Sequence, residues 1–409
     1  MTELDLWNDR ADPYPGYARL RDDTPVARAT GPMGMETWLI TRHADARAAL
    51  SDPRLAKSPR NAPDWVHASG LMRGDDEGPL GVNLLTSDPP DHTRLRRLVS
   101  KAFTRRRMEG LRPRVQDLTD GLLDAMAPGT EVDLIAGLAL PLPVAVISEL
   151  LGVPYGERAD FHRWTQAFVT APLSEEGLAR RDAAWASLEE YVGSLIERKR
   201  AELDPGTPAD DLPDLISALV ATHDASDRLT TRELIGMIAL LLIAGHETTV
   251  NLIGNGMRAL LTHPDQLEIL RSRPELMPDA IEELLRYDGP VERATPRYTL
   301  EDVTFGDVTV PAGSHVTVVL AAADHDPAYV PDADRLDITR TDHGHLAFGH
   351  GIHFCLGAPL ARIEGEIAIG SLLRRFPDLA LAVSPDDVRW RAGGAGNILR
   401  GLESLPLRL

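Results

Sequence analysis

Cys355 is the only cysteine among 409 residues, and it sits in Phe348-Gly349-His350-Gly351-Ile352-His353-Phe354-Cys355-Leu356-Gly357. A lone cysteine cannot close an internal disulfide. Nor can it build a structural zinc or iron–sulfur site, which takes several thiolates. Three roles remain: a nucleophile, an inert core residue, or the single axial ligand of a haem. The neighbours favour the last. Gly351 and Gly357 bracket the sulfur and permit a tight turn close to a large planar group, with Phe348 and Phe354 as flat apolar surfaces beside it. From Gly357 the chain reads as a helix start, Pro359 being tolerated in the first turn. A sulfur there would face free backbone N–H groups and the positive end of the helix dipole, which favour the thiolate.

A second set of reactive types lies in Ala244-Gly245-His246-Glu247-Thr248-Thr249. It interrupts the apolar run of a long helix expected over Thr230 to Thr262. Thr230 and Glu233 have the spacing of a capping box, and His263-Pro264 ends the helix. At ~1.5 Å per residue it is roughly 50 Å long and must cross the centre of the molecule to find packing partners. Gly245 costs such a helix ~1 kcal/mol relative to alanine. A glutamate in an apolar helix costs more unless it is paired or protonated. Locally unfavourable choices of this kind mark functional sites. A plain reading is also available, in which the threonines bond back to the preceding turn.

The pattern Phe348-x-x-Gly351-x-His353-x-Cys355-x-Gly357 resembles the haem-binding loop of the cytochrome P-450 family, and Ala244-Gly245-x-Glu247-Thr248 resembles that family's oxygen-activating helix motif. The resemblance implies haem b (iron protoporphyrin IX) with Cys355 as metal ligand. Phe348, Gly349, Gly357 and Ala244 would lie against the haem. It implies that Thr248 positions dioxygen while Glu247 feeds protons to it. Asp88 to Arg96 resembles the segment whose His92 and Arg96, four apart on one helical face, bind a haem propionate. Arg297 and His353 match the other two propionate contacts, and charge-assisted bonds to carboxylates are strong. Glu283 and Arg286, at i and i+3, match the family's structural glutamate–arginine pair, with Arg335 as the arginine that completes it.

The family fold is mainly α with small β-sheets and a long central helix crossing the haem. The periodicity agrees. Helical patterns dominate from Asp91 to Pro290. Strand patterns appear at Thr37 to Thr41, in a hairpin of Val303 to Phe305 and Val308 to Val310, and at His315 to Leu320. Lys57 to Thr86 reads as a long irregular stretch. Asp64, Asp75, Asp76 and Glu77 give that stretch an acidic cluster suited to a cationic substrate group. The expectation is one domain over 1–409, since the resemblance covers nearly the whole chain.

The net charge of −19 argues against nucleic-acid and anionic-membrane binding. The start of the chain carries no apolar signal stretch, and the apolar run Met237 to Ala244 is too short to span a bilayer. A soluble, cytoplasmic monomer is expected. Against this acidic background a basic cluster stands out between Arg94 and Arg114, including Arg97, Lys101, Arg105, Arg106 and Arg107. It would dock an acidic redox protein by electrostatic steering. The chain ends soon after the cysteine loop, so electrons are expected from a separate ferredoxin and an NAD(P)H ferredoxin reductase.

The resemblance thus implies a monooxygenase that uses dioxygen to hydroxylate or epoxidise a small hydrophobic molecule. It is narrower toward enzymes that tailor polyketide and macrolide antibiotics, with Leu84, Leu85, Val291, Ile398 and Leu399 as pocket candidates. A terpenoid, steroid or xenobiotic hydroxylase, a peroxide-using haem-thiolate peroxygenase and a non-catalytic haem sensor are the alternatives. A peroxygenase usually lacks the acid–alcohol pair, and a sensor needs neither that pair nor a docking patch.

Overall fold

The computed structural model describes residues 10–31, 34–69, 81–100, 103–170, 174–204, 206–207, 212–223, 229–391 and 398–409. Its axis is the helix Thr231–Thr262, capped by Thr230 and Glu233 in the reciprocal arrangement expected from the sequence. Pro141–Leu151, Met277–Asp288, Ala358–Arg375 and Glu175–Glu202 are among the helices that pack on it. Two glycines allow the close approach. A Cβ on Gly245 would stand 2.8 Å from Ile147 Cδ1, and one on Gly256 would stand 3.1 Å from Leu284 Cδ1. Gly245 is therefore explained by helix packing, beyond the functional reading its motif suggested.

By length and composition this helix is apolar enough to cross a membrane, which the short run Met237 to Ala244 did not foretell. Its apolar surface is covered by protein instead, with Leu234, Met237, Ile238, Leu242, Ile253 and Met257 all buried.

The β-structure is small and lies at the edges. One sheet orders the strands Val26–Thr30, Glu36–Ile40, His315–Val318, Arg297–Thr299 and Leu55–Ala56. Only the pair Glu36–Ile40 and His315–Val318 is parallel. The hairpin expected from sequence forms with Val303 opposite Val310 and Gly306 in the left-handed region at its turn. A third sheet joins Glu131–Asp133, Pro406–Arg408 and Ala380–Leu381. That long-range pairing leaves no local pattern in the sequence. The Lys57 to Thr86 stretch is less irregular than expected: Asp64–Ala68 is a short helix, and Pro59–Asn61 and Leu84–Thr86 are 3-10 turns. Asp75, Asp76 and Glu77 lie outside the described residues.

Glu283 and Arg286 are both buried and share two hydrogen bonds of 2.8 and 2.9 Å. Arg286 also donates to the carbonyls of Asp324 and Ala333. The arginine that completes this network is Arg340, not Arg335. Arg335 offers only its carbonyl, which Arg286 reaches at 3.1 Å, while its own side chain is exposed. The turn at Asp332, where φ is 52°, aims the backbone inward at this point. Five residues later Arg340 folds back, giving Nε to Glu283 at 3.3 Å and its two terminal nitrogens to Pro331 and Asp332. Arg340→Ala should accordingly cost on the order of 1–3 kcal/mol in denaturant unfolding. Arg335→Ala should stay within about 0.5 kcal/mol of the parent. The reverse ranking would restore Arg335 to the network.

Candidate active site

The cysteine loop is shaped by two left-handed glycines, Gly349 at φ 71° and Gly351 at φ 74°. A Cβ on Gly351 would lie 3.0 Å from Leu50 O and 3.1 Å from Ser51 Cα. Gly357, by contrast, has an ordinary φ of −83° and caps the helix Ala358–Arg375. The left-handed turns thus fall at Gly349 and Gly351, both ahead of Cys355, while Gly357 follows the sulfur as an ordinary helix cap. Cys355 N–H donates to Phe348 O at 3.0 Å and closes the loop.

Cys355 is exposed on the cavity, yet the protein packed around its sulfur desolvates it and pushes the thiol up from its usual range; the N–H groups of Gly357 and Ala358, with Arg96 and Arg362, only partly pull it back. The helix terminus does not outweigh desolvation, against the expectation from sequence. A metal ion coordinated by sulfur deprotonates a thiol outright. The loop is tied to the neighbouring helix through Arg362, which lies over the Phe348 ring at 4.5 Å. Its Nε and Nη2 donate to Glu282 at 2.6 and 2.7 Å, with His345 at 3.3 Å. Burial opposes ionisation of Glu282, but Arg362 and His345 outweigh it and hold the carboxyl down at about 2. A depressed acid stabilises the fold above its unfolded pKa, near 4.5, and loses that contribution as pH falls toward 2. Glu282→Gln should therefore lower stability at pH 7 by at most about 3 kcal/mol. The gap from the parent should narrow below pH 4.5 in urea titrations; a gap that stays constant down to pH 3 would refute the ion-pair account.

Cys355 faces a cavity of about 460 Å³. The central helix contributes Ala244, Glu247 and Thr248 to the same lining. Phe348 and Gly349 contribute from the cysteine loop, and Gly357 follows them. All five pocket candidates line it: Leu84, Leu85, Val291, Ile398 and Leu399. Val291 and Leu399 are held together by an antiparallel bridge. Leu240, Leu241, Phe103 and Leu285 join them. Sequence reasoning missed these because apolar residues on buried helices have no distinguishing local mark.

One edge of the cavity is cationic. His92, Arg96, Arg297 and His353 meet there, as the sequence suggested, and Lys57 joins them unforeseen. His92 and His353 lie with ring centroids 4.3 Å apart. His353 is driven down to about 2 by burial and by Lys57, His92, Arg297 and Arg96. Burial alone lowers Arg297 to about 10. Lys57 falls well below its usual range through burial and Arg297, although its Nζ donates to the carbonyls of Thr295 and Pro296. Both ring nitrogens of His92 and Nε of Arg297 are buried without a partner.

This donor set fits an iron porphyrin: a single thiol on one wall, apolar walls around it, and unsatisfied cationic nitrogens at one edge where two carboxylates would sit. Replacing the orphaned imidazole by an apolar ring removes an unsatisfied polar group, which is near neutral or favourable to a fold. His92→Phe should leave the haem-free protein at least as stable as the parent, while haem passes faster to apomyoglobin. Unchanged transfer would remove His92 from the haem edge.

The acid–alcohol pair is arranged less simply. Thr248 Oγ1 donates to Ala244 O at 3.0 Å, the plain back-bonded geometry, in a helix that stays α-helical throughout. Glu247 is buried and turned the other way, accepting at Oε2 from Arg391 Nη1 at 2.7 Å. No hydrogen bond joins Glu247 to Thr248 among the described residues.

The basic stretch is largely engaged in contacts within the protein. Arg94 pairs with Glu233, Arg112 with Glu109 and Glu366, and Arg114 with Glu149. Arg107 donates to Leu212 O at 2.8 Å. Arg97 and Arg106 are exposed, whereas Lys101 and the Arg105 side chain lie outside what the structure describes. A docking patch here is smaller than the run of arginines implies.

Residues 32–380 match the family profile "Cytochrome P450". The chain is 51% identical over 401 residues to cytochrome P450 monooxygenase PikC of Streptomyces venezuelae, covering 97% of this chain and 91% of that protein. It is 43% identical to mycinamicin IV hydroxylase/epoxidase of Micromonospora griseorubida, covering 96% and 94%. Among solved structures, the tirandamycin C-bound P450 monooxygenase TamI superposes with a TM-score of 0.87 at 44% identity, covering 97% of each chain. The thiol, its apolar cavity and its cationic edge thus stand in a chain that belongs to the cytochrome P450 family and is a P450 monooxygenase.

Proposed function

We propose that this protein binds haem b through Cys355 and inserts one oxygen atom into a polyketide-derived substrate, by hydroxylation or epoxidation. Dioxygen, two electrons, two protons and the substrate give the oxidised product and one water. The observation that carries this reading is one mostly apolar cavity lined by Cys355 together with Thr248 and Glu247. The relatives add the substrate class: one is named for mycinamicin IV, another holds tirandamycin C. Haem, when bound, supplies the dioxygen-activating chemistry.

The chain's own residues do the rest. Arg96 and Arg297 would neutralise the propionates of a bound haem, with His92 and His353 offering hydrogen bonds and Lys57 beside Arg297. Leu84, Leu85, Val291, Ile398 and Leu399 orient an apolar skeleton and exclude water, which strengthens every polar interaction inside. The Thr248 hydroxyl turns from Ala244 O toward the cavity and holds a proton there. Glu247 supplies that proton without opening the site to bulk water. Arg97 and Arg106 border the face that receives a ferredoxin, reduced by an NAD(P)H ferredoxin reductase. A single-domain monomer in the cytoplasm suits a thiol that must stay reduced.

The test compares Thr248→Ala with the parent on a panel of macrolide and linear polyketide aglycones that shift the Soret band. The variant should bind haem and ligand as before, yet release more peroxide and form less product per NADPH. Cys355→Ser is the control for ligation, and it should lose the far-red-shifted Soret band of the reduced CO complex. Unchanged product per NADPH in Thr248→Ala would remove the alcohol from the relay.

A further inference from the structure

The part of the cavity lining that carries Val291 and Leu399 is made of two short bridged segments. Val291 pairs with Leu399, Glu292 N–H donates to Ile398 O at 2.8 Å, and Arg400 N–H donates to Pro290 O at 3.0 Å. Side chains alternate along such a pair. Val291 and Leu399 line the cavity, whereas Glu292 and Arg400, the next residue in each segment, do not line it and are almost fully buried behind it. There they meet the segment from Arg10 to Tyr17. Arg10 Nη1 donates to Glu292 Oε2 at 2.6 Å, and its Nη2 donates to Leu399 O at 2.7 Å. One planar guanidinium thus holds both bridged segments at once. The contact is returned, since Arg400 Nη1 donates to Arg10 O at 2.6 Å. Arg400 Nε donates to Asp288 Oδ1 at 2.6 Å, and the Tyr14 hydroxyl donates to the same oxygen at 2.8 Å. The Tyr17 hydroxyl donates to the other oxygen of Glu292, and the Arg400 guanidinium lies 3.6 Å from the centre of the Trp390 ring.

Two bridged segments this short do not hold their own place, because an isolated pair of strands is marginal. Their position is set from behind. The carbonyl of Leu399, a lining residue, accepts from a side chain 389 residues away that itself does not line the cavity. We infer that Arg10 is a positioning residue for the substrate: by clamping Glu292 and the Leu399 carbonyl it fixes how far Val291 and Leu399 stand into the cavity, and so which apolar skeletons fit. This rests on the reading of the cavity as the substrate site. Arg10 acts only through the bridged pair in front of it. Without the clamp, a ligand that packs on Val291 and Leu399 must order them itself, and that cost falls only on ligands long enough to reach them.

The experiment uses haem-loaded protein and the probes imidazole, 1-butylimidazole and 1-dodecylimidazole, whose ring nitrogen ligates the iron and shifts the Soret band. Imidazole is too small to reach Val291 and Leu399, whereas a dodecyl tail must lie along the apolar lining. The parent should bind more tightly as the tail lengthens, since each buried methylene adds affinity. Arg10→Ala should weaken 1-dodecylimidazole on the order of fivefold and leave imidazole within about twofold of the parent. Hydrogen exchange read by mass spectrometry, on the same loaded protein without a probe, should quicken in peptides covering Glu292 and Arg400 and stay unchanged in the central helix. Selective weakening together with faster exchange supports the clamp. An unchanged affinity for 1-dodecylimidazole, an equal change for imidazole, or parent exchange at Glu292 and Arg400 overturns it. If Arg10→Ala does not take up haem, Arg10→Lys is read by the same criteria, because it keeps a cation beside Glu292 but lacks the fork. A parent that binds all the probes alike would refute the cavity as an apolar substrate site, and this inference with it.

Discussion

Desolvation of charge around one apolar cavity governs the organisation of this molecule. Lys57, Arg297 and the acid of the central helix are withdrawn from bulk water, where an unpaired charge is costly, while Cys355 is exposed on the cavity. The protein answers the penalty in two ways. Where the charge is structural, it is paired: Glu283 with Arg286 and Arg340, and Glu282 with Arg362 and His345. Where polar groups lie at the cavity edge, pairing is left incomplete, as at the His92 imidazole and the Arg297 guanidinium. Incomplete pairing is tolerated in a fold only where something outside the polypeptide completes it, and a dicarboxylate group with a coordinating metal completes both the cationic edge and the thiol.

The fold serves that cavity by bringing distant segments to its walls. The central helix, the cysteine loop and the segments around Leu84, Val291 and Leu399 all line it. Close helix crossing at Gly245 and Gly256 holds the central helix to its neighbours. Left-handed backbone at Gly349 and Gly351 lets the cysteine loop pass tightly over Leu50 and Ser51. The same strand arrangement that builds the larger sheet sets Arg297 beside the carbonyls of Leu50 and Leu55. Position at the cavity edge and membership of the sheet are thus one constraint on that arginine.

Much of the site was legible because it is written in short, local patterns. The cysteine loop, the Ala-Gly-His-Glu-Thr run and the His92–Arg96 spacing each lie within ten residues. The capping box at Thr230 and Glu233, the hairpin at Gly306 and the helix after Gly357 were readable for the same reason. What failed were statements about partners far apart in sequence. Arg335 satisfied the local pattern but presents its carbonyl, while Arg340 supplies the side chain. A run of arginines suggested a broad basic face, yet tertiary pairing with Glu233, Glu149 and Glu366 neutralises much of it. Lys57 and Arg391 carry no motif at all, and only folding brings them to the cavity.

These two unforeseen cations have opposite consequences. Burial and, after it, the neighbouring Arg297 drive the pKa of Lys57 down, so its nitrogen reaches the cavity edge without a carboxylate to hold its charge. Arg391 meets a carboxylate and satisfies it. A charge that calls for a partner draws a ligand in, whereas a charge already answered holds a side chain still. The cavity therefore has one edge where buried nitrogens of His92 and Arg297 lack partners and one wall where Glu247 is held in an ion pair.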